Sequence, residues 1–167
     1  MRRRPRITAA RLRELLDYNH ETGEFRWRKR VSRSAQAGDV AGTLHTDGCR
    51  RIRIKRRDYR AHHLAWLYMT GRWCSALIDH RDGNPSNNCW KNLRRATASQ
   101  NCANARRSKN NTSGFKGVSL TRNGRWRAAI YKKRRNHHLG YFATPQEAHA
   151  AYVAAAPRLH GEFARTE

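Results

Sequence analysis

Three times along this 167-residue chain, apolar side chains alternate with arginine or lysine. The runs are Phe25-Arg26-Trp27-Arg28, Arg51-Ile52-Arg53-Ile54-Lys55 and Arg125-Trp126-Arg127-Ala128, the last continuing through Ala129 to Ile130. A period of two is that of a β-strand, whose successive side chains point to opposite faces. Strands of this kind bury one face and present a cationic one. They belong to small antiparallel sheets covered on one side only.

The segments between them fill in an α+β plan. Residues 7–18 predict a helix, with Thr8 as its cap and Leu12, Leu15 and Leu16 on one face. Turns are expected at Glu21-Thr22-Gly23 and Thr46-Asp47-Gly48, with Arg56-Arg57-Asp58 sending the chain back towards Tyr59. Val40 to Leu44 continues the alternating style, so residues 23–61 read as one small antiparallel sheet. Its outer face would carry Arg51, Arg53 and Lys55 as phosphate contacts. His62 to Tyr68 predicts a short helix burying Leu64, Leu67 and Tyr68, with Gly71 past its end. His62 and His63 have no chelating spacing with another ligand type. They read as core or supporting histidines.

Charge narrows the partner. The chain has 36 Lys and Arg against 12 Asp and Glu, a net +24. That much like charge opposes compaction and calls for a polyanion. Residues 1–60 hold 18 basic and 7 acidic side chains (+11), residues 61–105 hold 5 and 2 (+3), and residues 106–167 hold 13 and 3 (+10). Two cationic ends flank a nearly neutral centre, a layout in which the ends hold nucleic acid and the middle acts on it. No apolar span is long enough to suggest a membrane partner. The Arg2-Arg3-Arg4-Pro5-Arg6 start lacks the apolar region of a secretory signal and reads as an arm on a DNA backbone. Cys49, Cys74, Cys89 and Cys102 form no C-x-x-C pair. They read as reduced apolar residues of a cytoplasmic protein, not as zinc ligands.

The centre carries the chemistry. Ala76-Leu77-Ile78 delivers Asp79-His80, and the turn-rich Arg81-Asp82-Gly83-Asn84-Pro85-Ser86-Asn87-Asn88 follows. Leu93 to Ala96 predicts a second strand. Thr97-Ala98-Ser99-Gln100 is a capping-box pattern that starts a helix with Asn101 in its first turn. Asp79, Asp82 and Gly83 lack the closing Glu of a calcium loop. Asn84, Asn87 and Asn88 read as turn formers and stay outside the predicted site. Strand, loop, strand and helix, with Asp79-His80, Asn92-Leu93 and Gln100-Asn101, resemble the HNH endonuclease family. The branch is that of phage and intron-encoded homing enzymes with Asn in place of the last His.

That resemblance implies a ββα-metal core over residues 76–105. Asp79 and Asn101 would bind one divalent metal ion, Mg2+ or Mn2+. His80 would be the general base, and Asn92 would pin the loop that holds it. No small-molecule cofactor is implied. A monomer on double-stranded DNA would nick one strand. The expected function is a metal-dependent endonuclease of a phage or mobile element that nicks or cleaves duplex DNA. A DNA-binding regulator with an inactive core is the alternative, and a basic RNA-binding protein is the third reading.

The remainder forms its own pattern. Residues 106–113 read as a basic linker, with Arg106, Arg107 and Lys109 able to lie on DNA. Beyond it, Phe115-Lys116-Gly117-Val118 opens a strand, Asn123-Gly124 is a hairpin turn, and Lys132 to Arg135 is a basic turn. Leu139-Gly140-Tyr141-Phe142 is a third strand, and Thr144-Pro145-Gln146-Glu147 starts a helix that runs towards Gly161. Lys116-Gly117-Val118, Gly124-Arg125-Trp126, Leu139-Gly140-Tyr141-Phe142, Glu147-Ala148 and Ala151-Tyr152 resemble the AP2 DNA-binding domain. The resemblance implies a three-stranded sheet plus helix over residues 114–167, beside a nuclease domain over 1–105. Ser119, Thr121, Asn123, Tyr131 and His138 stand where that family has Arg or Trp, so its base code does not carry over. Lys116, Arg125, Arg127, Lys132, Lys133 and Arg134 remain as DNA contacts that position the protein without reading sequence.

Overall fold

A computed structural model describes residues 6–108, 110–132 and 135–167. It divides into two compact units, Met1–Arg95 and Ala96–Glu167.

In the first unit, helix α1 spans Ala9–Leu15, and the Thr8 hydroxyl accepts the Arg11 N–H at 3.2 Å as its cap. The helix ends three residues before the expected limit. Leu16 turns to extended geometry and opens strand β1, Leu16–Tyr18, which pairs antiparallel with β2, Phe25–Trp27. As a strand, this segment buries Leu16 and Tyr18 and leaves Asp17 in water. The expected single sheet over 23–61 is in fact two. The second contains β3 (Thr43–Leu44), β4 (Arg50–Ile54) and β5 (Arg57–Arg60), and an isolated bridge ties Arg26 of β2 to Val40, in the segment before β3.

Ile54 pairs with Arg57, so Lys55 and Arg56 alone make the turn, one residue earlier than expected. Both have positive φ, 48° and 64°. A primed two-residue turn demands this geometry to match strand twist, although Asn and Gly adopt it more easily. Helix α2 covers Ala61–Thr70 and ends on Gly71 in the left-handed region. Phe25, Leu12, Leu16, Ile52, Leu64 and Leu67 are fully buried at the centre of this unit. Strand β6 (Leu77–His80), the short 3-10 turn Trp90–Asn92 and strand β7 (Leu93–Ala96) follow, with β6 and β7 paired.

In the second unit, α3 spans Ala98–Asn104 behind the complete Thr97–Gln100 capping box. A sheet of order β10-β9-β8 comes from Val118–Leu120, Trp126–Lys132 and Arg135–Phe142. Gly117, left-handed at φ 73°, delays β8 to Val118. Strand β10 starts at Arg135, not Leu139, because its polar first half pairs with β9 without needing a buried face. Helix α4, Pro145–His160, opens with its own capping box and packs Ala148, Tyr152 and Ala156 towards Val118, Ala128 and Ile130. No helix among the described residues is long and apolar enough to cross a membrane.

Candidate active site

Strand β6 ends in three buried residues, Ile78, Asp79 and His80. The Asp79 carboxylate accepts from Arg94 Nε at 2.8 Å, with both side chains almost wholly out of solvent. Arg94 reaches it from the neighbouring strand β7. A guanidinium contact of this kind orients a carboxylate and offsets the cost of burying its charge. Carboxylate oxygens have lone pairs for several partners at once.

The loop from Arg81 to Asn92 is tied by the Asn92 side chain. Its Oδ1 accepts the Asp82 N–H at 3.0 Å, and its Nδ2 donates to Asp82 Oδ1 at 3.0 Å and to the Asn87 carbonyl at 2.8 Å. The Arg81 N–H donates to the Asn92 carbonyl at 2.9 Å. Asp82 also accepts from the Asn84 N–H and the Asn87 amide. Burial alone would raise the Asp82 carboxyl, but these bonds hold it below the ordinary carboxylate value.

His80 is 8% exposed, and its Nε2 lies 3.3 Å from Asn88 Oδ1. The Asn88 amide has its Nδ2 on the Ser86 carbonyl at 3.0 Å, which directs Oδ1 at the histidine. An oxygen acceptor there favours the tautomer with the proton on Nε2. Burial lowers the His80 pKa, against the opposing pull of the Asn88 bond and the Asp82 and Asp79 charges. The ring is thus neutral, a base, at neutral pH.

By its sequence Asn88 is a turn former, yet it is 2% exposed and central. Its carbonyl accepts from the Tyr18 hydroxyl at 2.6 Å. Gly23 lies so close that an added Cβ would meet the Asn88 carbonyl carbon at 2.3 Å. Nothing local in Asn84-Pro85-Ser86-Asn87-Asn88 separates Asn88 from its neighbours, because what fixes it includes Tyr18 and Gly23, 70 and 65 positions earlier in the chain, and His80 on the strand before the loop.

His62 also meets the site. Its ring stands edge-on to His80, with centroids 5.0 Å apart, and to His63 at 4.5 Å. Its Nδ1 is buried without a hydrogen-bond partner among the described residues. Burial, then the neighbouring His63 and His80, push its pKa down to about 3.

Asn101 lies in the second unit, exposed in the first turn of α3, its N–H on the Thr97 carbonyl. Among the described residues, no group of three His, Cys, Asp or Glu could hold a metal. Mg2+ sites need no such cage, since that ion keeps waters and takes one or two carboxylates plus substrate phosphate. Asp79, a hard oxygen donor beside His80, fits that kind of ion.

The predicted DNA contacts differ in setting. Arg51 and Arg53 share a face of β4, with Arg51 bound to Asp47 at 2.6 Å and Arg53 3.9 Å from Asp58. Lys55 is exposed at the turn. Arg106 and Arg107 are exposed in irregular chain. Lys116 donates from Nζ to the carbonyls of Ala103 and Ala105, both at 2.6 Å, at the end of α3. Burial, and then Arg165, lower its pKa to about 8. Arg125 donates to the Tyr141 carbonyl at 3.1 Å. Arg127 is exposed on β9 and Lys132 half-buried at its end. Lys109, Lys133 and Arg134 lie outside the described residues.

Residues 59–103, from β5 through most of α3, match the HNH endonuclease family. A curated relative, Protein 3.8 of Escherichia phage T7, is 37% identical over 90 residues, which cover 53% of this chain and 73% of the relative. The chain belongs to the HNH endonuclease family. HNH nucleases generally use a divalent metal ion. This HNH chain also matches a solved structure of the HNH homing endonuclease I-HmuI, described for DNA binding and cleavage. That match has 25% identity and a TM-score of 0.40, and covers 54% of this chain and 51% of the other. The chain therefore spans about half the length of that solved protein.

Proposed function

We propose that this HNH chain is a metal-dependent endonuclease that nicks or cleaves double-stranded DNA, acting as a monomer in the cytoplasm of a phage-infected or other prokaryotic cell as a homing-type enzyme. The observation that carries this reading is His80, buried and hydrogen-bonded through Nε2 to Asn88, next in sequence to a buried carboxylate. In this reading His80 takes the proton of the attacking water at Nδ1, a step worth about a hundred- to ten-thousand-fold in rate. Asn92 keeps the loop from Arg81 to Asn92 rigid, so His80 loses no time to other rotamers. Asp79 and Asn101 are the side chains assigned to a Mg2+ or Mn2+ ion, which when bound polarises the phosphate and offsets its developing charge. Arg51, Arg53, Lys55, Arg106, Arg107, Arg125, Arg127 and Lys132 are assigned to DNA backbone contacts, and the second unit to an AP2-like DNA-holding role. The +24 net charge supports a polyanionic substrate.

Supercoiled plasmid tests the reading. Open circles should form with Mg2+ or Mn2+ and stop with a chelator. One observation, Arg94 on Asp79, favours the alternative of a DNA-binding regulator with an inactive core. Tight binding with no cleavage under any divalent ion would select it.

A further inference from the structure

The sheet of the second unit has one face under α4 and one face open. The open face carries aromatic rings where water-facing strands usually carry polar side chains. Tyr131 is 62% exposed and Tyr141 52% exposed. The His138 ring lies 4.5 Å from the Tyr141 ring, centroid to centroid. Arg127 pairs across the ladder with Tyr141, and Asn136 with Tyr131.

A β-bulge sets this arrangement. His138 pairs with Ala129 and Gly140 with Ala128, so β10 spends an extra residue at Leu139. Without it, strict alternation would place Leu139 and Tyr141 on the same inner face. With it, Leu139 and Phe142 both pack into the core and Tyr141 turns outward beside His138. Bulges re-aim side chains in this way. Gly140, at φ 138°, supplies the backbone geometry.

Exposed aromatics on a sheet, interleaved with arginine, are a stacking platform for unpaired bases. Each base has a π-face, and the surrounding charge holds the phosphates. Residues 96–167 hold 13 basic and 3 acidic side chains, a net +10. A duplex hides its base faces and offers an aromatic ring no surface to stack on.

We infer that the open face of the C-terminal sheet, through Tyr131, His138 and Tyr141 with Arg127, binds single-stranded DNA by base stacking.

The test is anisotropy with labelled oligothymidine and with a duplex of equal length, using the full chain in chelator so that cleavage plays no part. Tyr141→Ala should weaken single-strand binding about five- to 150-fold, the loss per stacked base. Duplex affinity should not change. The salt dependence of binding should also stay the same, because stacking releases no counterions. Tyr141→Phe should bind as the parent, since the ring is kept. Tyr131→Ala repeats the measurement at a second exposed position, and thermal melting confirms folding of each variant. Single-strand binding equal to the parent in both alanine variants would overturn the inference. So would parallel loss of single-strand and duplex binding, or tighter binding of oligouridine RNA than of oligothymidine at matched salt.

Discussion

His80 Nε2 faces Asn88 Oδ1 at 3.3 Å, and the amide is fixed by its own bond to Ser86. The base of the proposed reaction is therefore oriented by a residue from the loop that follows it. Asn88→Ala should lower the nicking rate about 10- to 100-fold, as loss of an orienting partner does. DNA affinity should be kept. A single-turnover assay with saturating enzyme separates the two, and an unchanged rate would refute the role.

Gly23 bears on the same contact from the other side. It sits at φ 77° with Asn88 and Cys89 backbone atoms 2.3 and 2.4 Å from where a Cβ would stand. Gly23→Ala should lower stability by at least the roughly 1–2 kcal/mol of a left-handed non-glycine residue. It should also slow nicking, because Asn88 must move. Thermal melting and the plasmid assay read the two effects on one protein.

Arg94 and Asp79 form a pair with both side chains under one-tenth exposed. Arg94→Met leaves a carboxylate buried without that partner. Breaking a buried pair costs about 3–5 kcal/mol, so urea unfolding should show a large fall in midpoint. A change below about 1 kcal/mol would mean that the pair is open to water.

Much of this site could be read from the chain. Asp79, His80 and Asn92 stand out because each belongs to a local pattern: an apolar run, a turn, a strand. The capping box at Thr97 and the strand at Leu93–Ala96 appear where local signals put them. Asn88, Arg94 and His62 were not legible as site residues. Their meaning comes from partners on other elements, and an asparagine in a turn looks the same whether or not a histidine faces it. The break of the expected sheet into two was hidden for a similar reason. Leu16 fits the helix stripe of Leu12 and Leu15 as well as a strand alternation with Tyr18, and only pairing with Phe25–Trp27 decides.

Acid should weaken the fold through His62. In the unfolded chain an imidazole takes its proton near its ordinary value of about 6.5. In the folded chain His62 does so only near about 3. Between these values unfolding takes up a proton, so stability is fully present above about 6.5 and is lost as pH falls towards 3. His63 and His80 are shifted the same way by burial and add to the effect. Urea midpoints from pH 7 to pH 5 should fall, and His62→Gln should flatten that fall. A pH-independent midpoint in the parent would contradict it.

In the proposed reaction His80 performs the chemistry on DNA. Single-turnover nicking of supercoiled plasmid in Mg2+ or Mn2+, compared between the parent and His80→Ala at matched DNA occupancy, tests it most directly. Removing the base should cost about a hundredfold or more in rate, with DNA affinity unchanged. Open circles forming at the parent rate in His80→Ala would contradict it.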